Sequence, residues 1–215
     1  MRWSLDLVAD DLAAALRQAE QAMREEQAVY GLDAKDELAL QQVLAEGLAG
    51  KYAVAREVHY PSSLGKKLSN RKRCDLVLCD AGRPLRLDAA SPDLFTPTDL
   101  SGPGEALWLE VKAAYQYRAP DVRHRGYGSQ WRQAVVKDLR KMEEEPQIRE
   151  AALVLVVFNA SDHVLESDLQ YFEDVLAQKE VLAGFRQVRS VPITDRMGHT
   201  VASVAVWPTI QREPG

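Results

Sequence analysis

Two short apolar segments of this 215-residue chain carry charged residues where a strand interior would be apolar. In Leu107-Trp108-Leu109-Glu110-Val111-Lys112, a carboxylate and an amine stand two residues apart. In Arg73-Cys74-Asp75-Leu76-Val77-Leu78-Cys79, Asp75 precedes an apolar run. On strands, residues i and i+2 share a face, so Glu110 and Lys112 project together while Leu109 and Val111 enter the opposite layer. A half-buried carboxylate needs a metal or another cation as partner. Two carboxylates and a lysine meeting at one point would make a divalent-metal site with an amine beside it. That chemistry suits phosphodiester hydrolysis, which needs an activated water, charge neutralisation and a stabilised leaving group. Mg2+ prefers oxygen ligands and keeps several waters, so Asp75 and Glu110 are its candidate ligands, with Mn2+ as a substitute.

The elements that must position these residues are legible as patterns. Leu12, Leu16, Ala19 and Met23 recur at helical spacing within a first helix expected from Leu5 to Gln27. A second helix is expected with Asp33 as N-cap, Glu37 one turn on, and Leu40, Leu44 and Leu48 as its stripe. Tyr52 to Tyr60 alternates as a strand that Pro61 stops, and Arg73 to Asp80 forms the next strand, giving an antiparallel hairpin that carries Asp75. Residues 81 to 105 are rich in Pro and Gly and read as a long loop, either a flap near the substrate or a surface insertion. A helix is expected from Ser129 to Glu144. The apolar run Ala151 to Phe158 reads as a central strand buried on both faces. Ser167 to Leu182 reads as a helix and Val201 to Trp207 as a last strand. Helices interleaved with a mixed sheet indicate an α/β fold.

The order of these elements resembles the PD-(D/E)xK nuclease superfamily over residues 33 to 160: an acidic helix, a strand, a strand carrying Asp75, a strand carrying Glu110-x-Lys112, a helix and a strand. The Pro-Asp pair that gives the superfamily its name is replaced here by Cys74-Asp75. The resemblance implies a restriction-endonuclease-like core, a central mixed β-sheet flanked by helices, over residues 33–215, with residues 1–32 as an added N-terminal helix. It implies Asp75, Glu110, Lys112 and Glu37 as the catalytic set, with the main-chain carbonyl of Val111 as a further metal ligand. Lys112 would orient or help deprotonate the attacking water. Glu37 is equally explained as a first-turn acid favoured by the helix dipole, and Asp36 and Glu46 are alternatives on the same helix. Asp75 could instead cap a turn, and Glu110 with Lys112 could form an exposed ion pair.

Net charge is −5, yet the charge is unevenly spread. Residues 51 to 73 hold seven Lys/Arg against one acid, and residues 112 to 141 hold eight against two. Basic stretches flanking both motif strands are the footprint expected of a protein that meets a phosphate backbone. Lys66, Lys67, Arg71, Lys72, Arg118, Arg123, Arg125 and Lys141 are the candidate contacts. Tyr115, Tyr117 and Tyr127 could stack on bases or serve as core residues. Lys137, Asp138 and the run Glu143-Glu144-Glu145 read as solvated helix surface.

Other classes find no support. The four histidines have no pair at metal-ligand spacing, and Cys74 and Cys79, expected on opposite faces of one strand, are too few for a structural zinc site and placed wrongly to bridge. Nucleophile-elbow, phosphate-loop and dinucleotide fingerprints are missing. No apolar run approaches a bilayer's thickness, and the N-terminus lacks a signal-peptide pattern, so a cytoplasmic protein is expected. The expectation is a Mg2+-dependent nuclease acting on DNA, with RNA as a further possibility that no residue excludes, within a bacterial defence or DNA-processing system, with the N-terminal helix as a dimer or partner surface. The alternative is a non-catalytic nucleic-acid-binding or protein-interaction module on the same fold.

Overall fold

The computed structural model describes residues 2–67, 69, 71–87, 99–120 and 122–209. Its first helix, α1 (Leu5–Glu25), is capped by the Ser4 hydroxyl, which accepts the Leu7 N–H, and buries Leu5, Val8, Leu12 and Leu16 along one stripe. The next helix begins later than its sequence suggests. Asp36, not Asp33, is the N-cap of α2 (Glu37–Leu48), and its carboxylate accepts the Ala39 N–H at 2.8 Å. Asp33 lies instead in a single 3-10 turn, Leu32–Ala34, with its side chain fully buried against His199.

Among the described residues, eight strands follow in two sheets. The main sheet contains β1 (Tyr52–His59), β2 (Arg73–Asp80), β3 (Leu107–Tyr115), β6 (Glu150–Asn159), β7 (Gln187–Pro192) and β8 (Val201–Pro208). Their spatial order is β1-β2-β3-β6-β8-β7, antiparallel throughout except for the parallel pair β3–β6. A small antiparallel hairpin, β4 (Tyr117–Ala119) and β5 (Val122–Arg123), extends from the end of β3. The parallel pair is joined through α3 (Tyr127–Glu143), and α4 (Asp162–Gln178) follows β6. The architecture is thus α/β with a central mixed six-stranded sheet flanked by helices.

The core forms two layers. Leu40, Leu44 and the α1 stripe pack with Leu76, Leu109 and Val111 on one face of the sheet. Trp131, Val135 and Leu139 of α3, with Leu169 and Phe172 of α4, pack with Val77, Trp108 and Leu153 on the other. Because α1 spends its apolar stripe in the first layer, that stripe does not supply the partner surface expected of it. Each such fully buried aliphatic side chain contributes roughly 1.5–3 kcal/mol over leaving it exposed. Strand β6 is buried on both faces, as its uninterrupted apolar run requires.

Several boundaries differ from the sequence reading. The fourth helix starts at Asp162 and ends at Gln178, with Leu165, Leu169, Phe172 and Leu176 inward. Strand β7 has no counterpart in that reading, since Gln187, Arg189, Ser190 and Pro192 disguise a strand whose buried residue is Val191. Leu85 bridges Ser101 across the base of the 81–105 loop, whose residues 88–98 lie outside the described residues. Among the described residues, no helix is long and apolar enough to cross a membrane.

One irregularity positions everything that follows. In β1, Ala53 and Ala55 face the α3 layer, but so do Val58 and Tyr60, of opposite parity. In β2, Val77 and Cys79 face that layer, and so does Cys74. The alternation of both strands therefore slips by one between the pairs Arg56–Leu76 and Val58–Cys74. The residue between them on β1, Glu57, has φ 52°, the left-handed backbone that a β-bulge uses and that non-glycine residues rarely adopt. This slip puts Cys74 and Cys79 in the same layer, both as free buried thiols, where simple alternation would have opposed them. The residue opposite Glu57 is Asp75.

Candidate active site

The site lies where β2 leaves β3. Their ladder pairs Leu78 with Leu107, Val77 with Trp108 and Leu76 with Leu109, and it ends there although β3 continues to Tyr115. A strand residue turns its N–H and C=O toward the same neighbour, so the β3 edge beyond Leu109 needs new partners. Side chains provide them. The Asp75 carboxylate accepts the Val111 N–H at 2.7 Å, and Glu37 accepts the Ala113 N–H at 3.3 Å. The Lys112 ammonium donates to the Val111 carbonyl at 3.0 Å. The slip at Glu57 brings Asp75 to this opening. The departure of β2 lets Glu37 reach it from α2, on the far face of the sheet.

Lys112 is the hub. Its ammonium lies 2.9 Å from Glu37, 3.4 Å from Asp138 on α3 and 3.9 Å from Asp75. Burial alone would lower its pKa, but Asp138 and Glu37 outweigh that and hold it above its ordinary range. It is a fixed cation at any physiological pH.

Glu110 sits one step deeper, with its side chain 2% exposed. Lys141 of α3 pairs with it at 2.6 Å, and the Tyr60 hydroxyl donates to the same oxygen. Burial is the main force raising the Glu110 carboxyl to about 7; Asp75 pushes the same way, while Lys141 pulls it back. Burial likewise raises the Asp75 carboxyl, against the opposing pull of the Val111 N–H and Lys112. The Lys141 ammonium also lies over the Tyr60 ring and donates to the Arg73 carbonyl at 3.1 Å.

Asp75, Glu110 and Lys112, singled out by type and spacing, therefore meet Glu37, which the resemblance added to them. Asp138, Lys141 and Tyr60 join them. Asp138 is 7% exposed rather than a solvated helix residue, and Lys141 is committed to Glu110 rather than standing free for a phosphate. Asp138 and Lys141 are three apart on α3, the spacing that puts two side chains on one face of a helix, which is the one sequence signal that could have found them. Glu145 is also no solvated helix end: it is 4% exposed and accepts from the Ser62 N–H and hydroxyl.

No protein-family model matches this chain, and no curated protein and no solved structure matches it. Its chemistry must be argued from the site alone.

The oxygen donors suit a hard cation. Asp75, Glu110 and the main-chain carbonyl of Val111 are oxygen donors of the kind that Mg2+ or Ca2+ takes. Asp138 adds a buried oxygen, Oδ2, that has no hydrogen-bond partner among the described residues, its contact being the Lys112 ammonium. In the arrangement described, ammonium groups stand among these oxygens. No group of three acidic, histidine or cysteine side chains among the described residues is placed to hold a metal. A metal at Asp75, Glu110 and Val111 would compete with Lys112 for the Val111 carbonyl and with Lys141 for Glu110.

The basic residues separate into two places. Lys66, Lys67 and Lys72 are exposed on the segment leading into β2, where Arg71 donates to the Lys66 carbonyl at 2.9 Å. Arg118, Arg123 and Arg125 are exposed on and just after the β4–β5 hairpin, where Arg118 contacts His124. The three tyrosines are half-buried and each packs on a neighbouring ring: Tyr115 stacks on Phe158, Tyr117 packs edge-on to His199, and Tyr127 packs against Trp131.

His199 has a structural place. Its Nε2 accepts the Tyr117 N–H at 3.0 Å, so its proton is on Nδ1 and is donated to Asp33 at 3.0 Å. The imidazole is therefore neutral, and it ties the 3-10 turn before α2 to the hairpin and to the segment preceding β8.

Proposed function

We propose that this chain is a divalent-metal-dependent nuclease of the PD-(D/E)xK type, with a restriction-endonuclease-like core, hydrolysing phosphodiester bonds in DNA. The observation that carries the reading is the meeting of Asp75, Glu110, Lys112 and Glu37 at the end of the β2–β3 ladder. A buried glutamate and an adjacent fixed lysine are costly to maintain for structure alone.

Asp75, Glu110 and the Val111 carbonyl would hold Mg2+ or Mn2+. The ion would supply charge neutralisation at the phosphate and a more acidic bound water. The chain's own groups do the rest. Lys112, permanently charged, holds an attacking water or a non-bridging phosphate oxygen by hydrogen bonding and offsets charge on the phosphorus oxygens. Glu37 fixes the direction of the Lys112 ammonium, with Asp138 gripping it from the other side. Lys141, if a metal on Glu110 displaced it, would add a second cation beside the site. Tyr60 keeps the Glu110 carboxylate oriented.

Binding without catalysis is the second reading. It is favoured by the fact that every one of these carboxylates already has a protein partner. Labelled single- and double-stranded DNA, incubated with and without Mg2+ or Mn2+, separates the two. Metal-dependent cutting supports the nuclease; retention of DNA by folded protein with no cutting in either metal supports the binding module.

A further inference from the structure

Beside the site, α3 and the start of β2 enclose a groove of about 610 Å³. Its walls carry Lys72 and Arg73 from β2's approach and Gln133, Lys137, Arg140 and Lys141 from α3, over a floor that includes Val136. Gln133, Lys137, Arg140 and Glu144 recur at helical spacing on one stripe of α3, and Asp138 and Lys141 flank that stripe on the side of Glu110 and Lys112. Five cations line the groove against two carboxylates, Asp138 and Glu144. A smaller recess of about 210 Å³ shares Lys72 and Lys141 and continues the line to Lys66.

We propose that this groove binds the phosphodiester backbone of the DNA strand and leads it to the Glu110–Lys112 site, independently of base sequence. The inference rests on the nuclease reading and adds where the strand runs. The lining is cationic with one neutral hydrogen-bonding side chain, Gln133, so it reads phosphate and carries little that could read a base edge. Two of the groove's ion pairs are exposed and exchangeable, Lys72–Glu144 at 3.5 Å with side chains 60% and 69% exposed and Arg73–Glu57 at 3.6 Å, while Lys141 stays paired with Glu110 and Asp138 at the groove's inner end. The groove opens onto Asp138 and Lys141, which touch Lys112 and Glu110, so a phosphate followed along α3 arrives at the reacting residues.

The test is DNA binding by fluorescence polarisation in EDTA, so that cleavage does not intervene. Wild type is compared with Lys72→Gln/Lys137→Gln/Arg140→Gln and with Arg118→Gln/Arg123→Gln/Arg125→Gln. Each triple variant removes three charges, and each is checked for unchanged thermal unfolding. Lys137→Gln, at an exposed position, serves alone if the groove triple variant does not fold. The groove variant is expected to lose affinity about tenfold or more and to flatten the dependence of log K on log salt by about 2 to 3. The hairpin variant is expected to lose distinctly less. Equal losses in both would mean that overall charge, not the groove, holds DNA, and would overturn the inference, as would loss confined to the hairpin variant. Much tighter binding of RNA of the same sequence would overturn DNA as the occupant. Wild type that binds no DNA even at low salt would remove the nuclease reading and the groove together.

Discussion

The carboxylate of Asp75 accepts the main-chain N–H of Val111 at 2.7 Å, across the point where β2 and β3 stop pairing. A side chain has replaced a strand there, so Asp75 has two roles that substitution can separate. Asp75→Asn keeps an acceptor for the Val111 N–H and loses the charge; Asp75→Ala orphans that N–H. Leaving a buried donor unsatisfied costs about 1–3 kcal/mol. We expect Asp75→Ala to lower the unfolding temperature by several degrees and Asp75→Asn to lower it much less, while both lose metal-dependent cleavage. Thermal unfolding and cleavage measured on the same preparations check this.

The Lys141–Glu110 pair is buried on its acidic side, so cutting it at one end is expensive. Lys141→Met should destabilise the metal-free protein by roughly 3–5 kcal/mol, because the Glu110 charge is left without its partner. The double variant Lys141→Met/Glu110→Gln, which removes both charges, should recover most of that loss. Denaturant unfolding of the wild type, both single variants and the double variant gives the coupling directly. Additive losses would mean that the pair is not coupled.

Glu110 also makes stability depend on pH. Its carboxyl is raised from an ordinary 4.5 to about 7, chiefly by burial. A group with a raised folded-state pKa binds more protons folded than unfolded between those values. Its stabilising contribution is therefore complete below about 4.5 and is lost as pH rises toward and through 7. Asp75, shifted the same way, adds to the trend. The metal-free wild type should lose stability between pH 5 and pH 8, and Glu110→Gln should show a clearly flatter profile. Parallel profiles for the two would contradict the placement of Glu110.

Asp33 and His199 test what is structural. Both side chains are fully buried, and the imidazole bridges Asp33 and the Tyr117 N–H. His199→Ala should lower the unfolding temperature markedly, having orphaned two buried polar groups. Because the pair touches none of Asp75, Glu110 and Lys112, cleavage per folded molecule should be unchanged below that temperature.

Much of the site was legible because its residues break strong patterns. Asp75 and Glu110 stand in apolar strands, and a carboxylate there demands a partner. The strand from Tyr52 and the doubly buried run at β6 follow from alternation and its absence. What escaped was long-range or irregular. The left-handed Glu57 at the point where the alternation of β1 and β2 slips has no sequence signature, since glutamate rarely takes that backbone, so alternation alone puts Cys74 and Cys79 on opposite faces. Asp138, Lys141 and Glu145 look like ordinary helix-surface charges, and only their packing against β2, β3 and the 3-10 turn at Pro61–Ser63 buries Asp138 and Glu145 and half-buries Lys141. Asp33 resembles a helix cap because its partner, His199, is 166 residues away. Strand β7 is half-exposed and polar, and α1 covers one side of it through Arg189, which pairs with Asp6 and Asp10 of α1.

The most direct test of the central claim is Mg2+-dependent cleavage of labelled DNA by wild type, Glu110→Ala and Lys112→Ala, with each variant shown to be folded and to bind DNA. The account predicts that wild type cuts only with metal, and that both variants bind but lose cutting by a factor on the order of 100 or more. Cutting that survives in both variants would contradict it, as would folded, DNA-binding wild type that cuts in neither Mg2+ nor Mn2+.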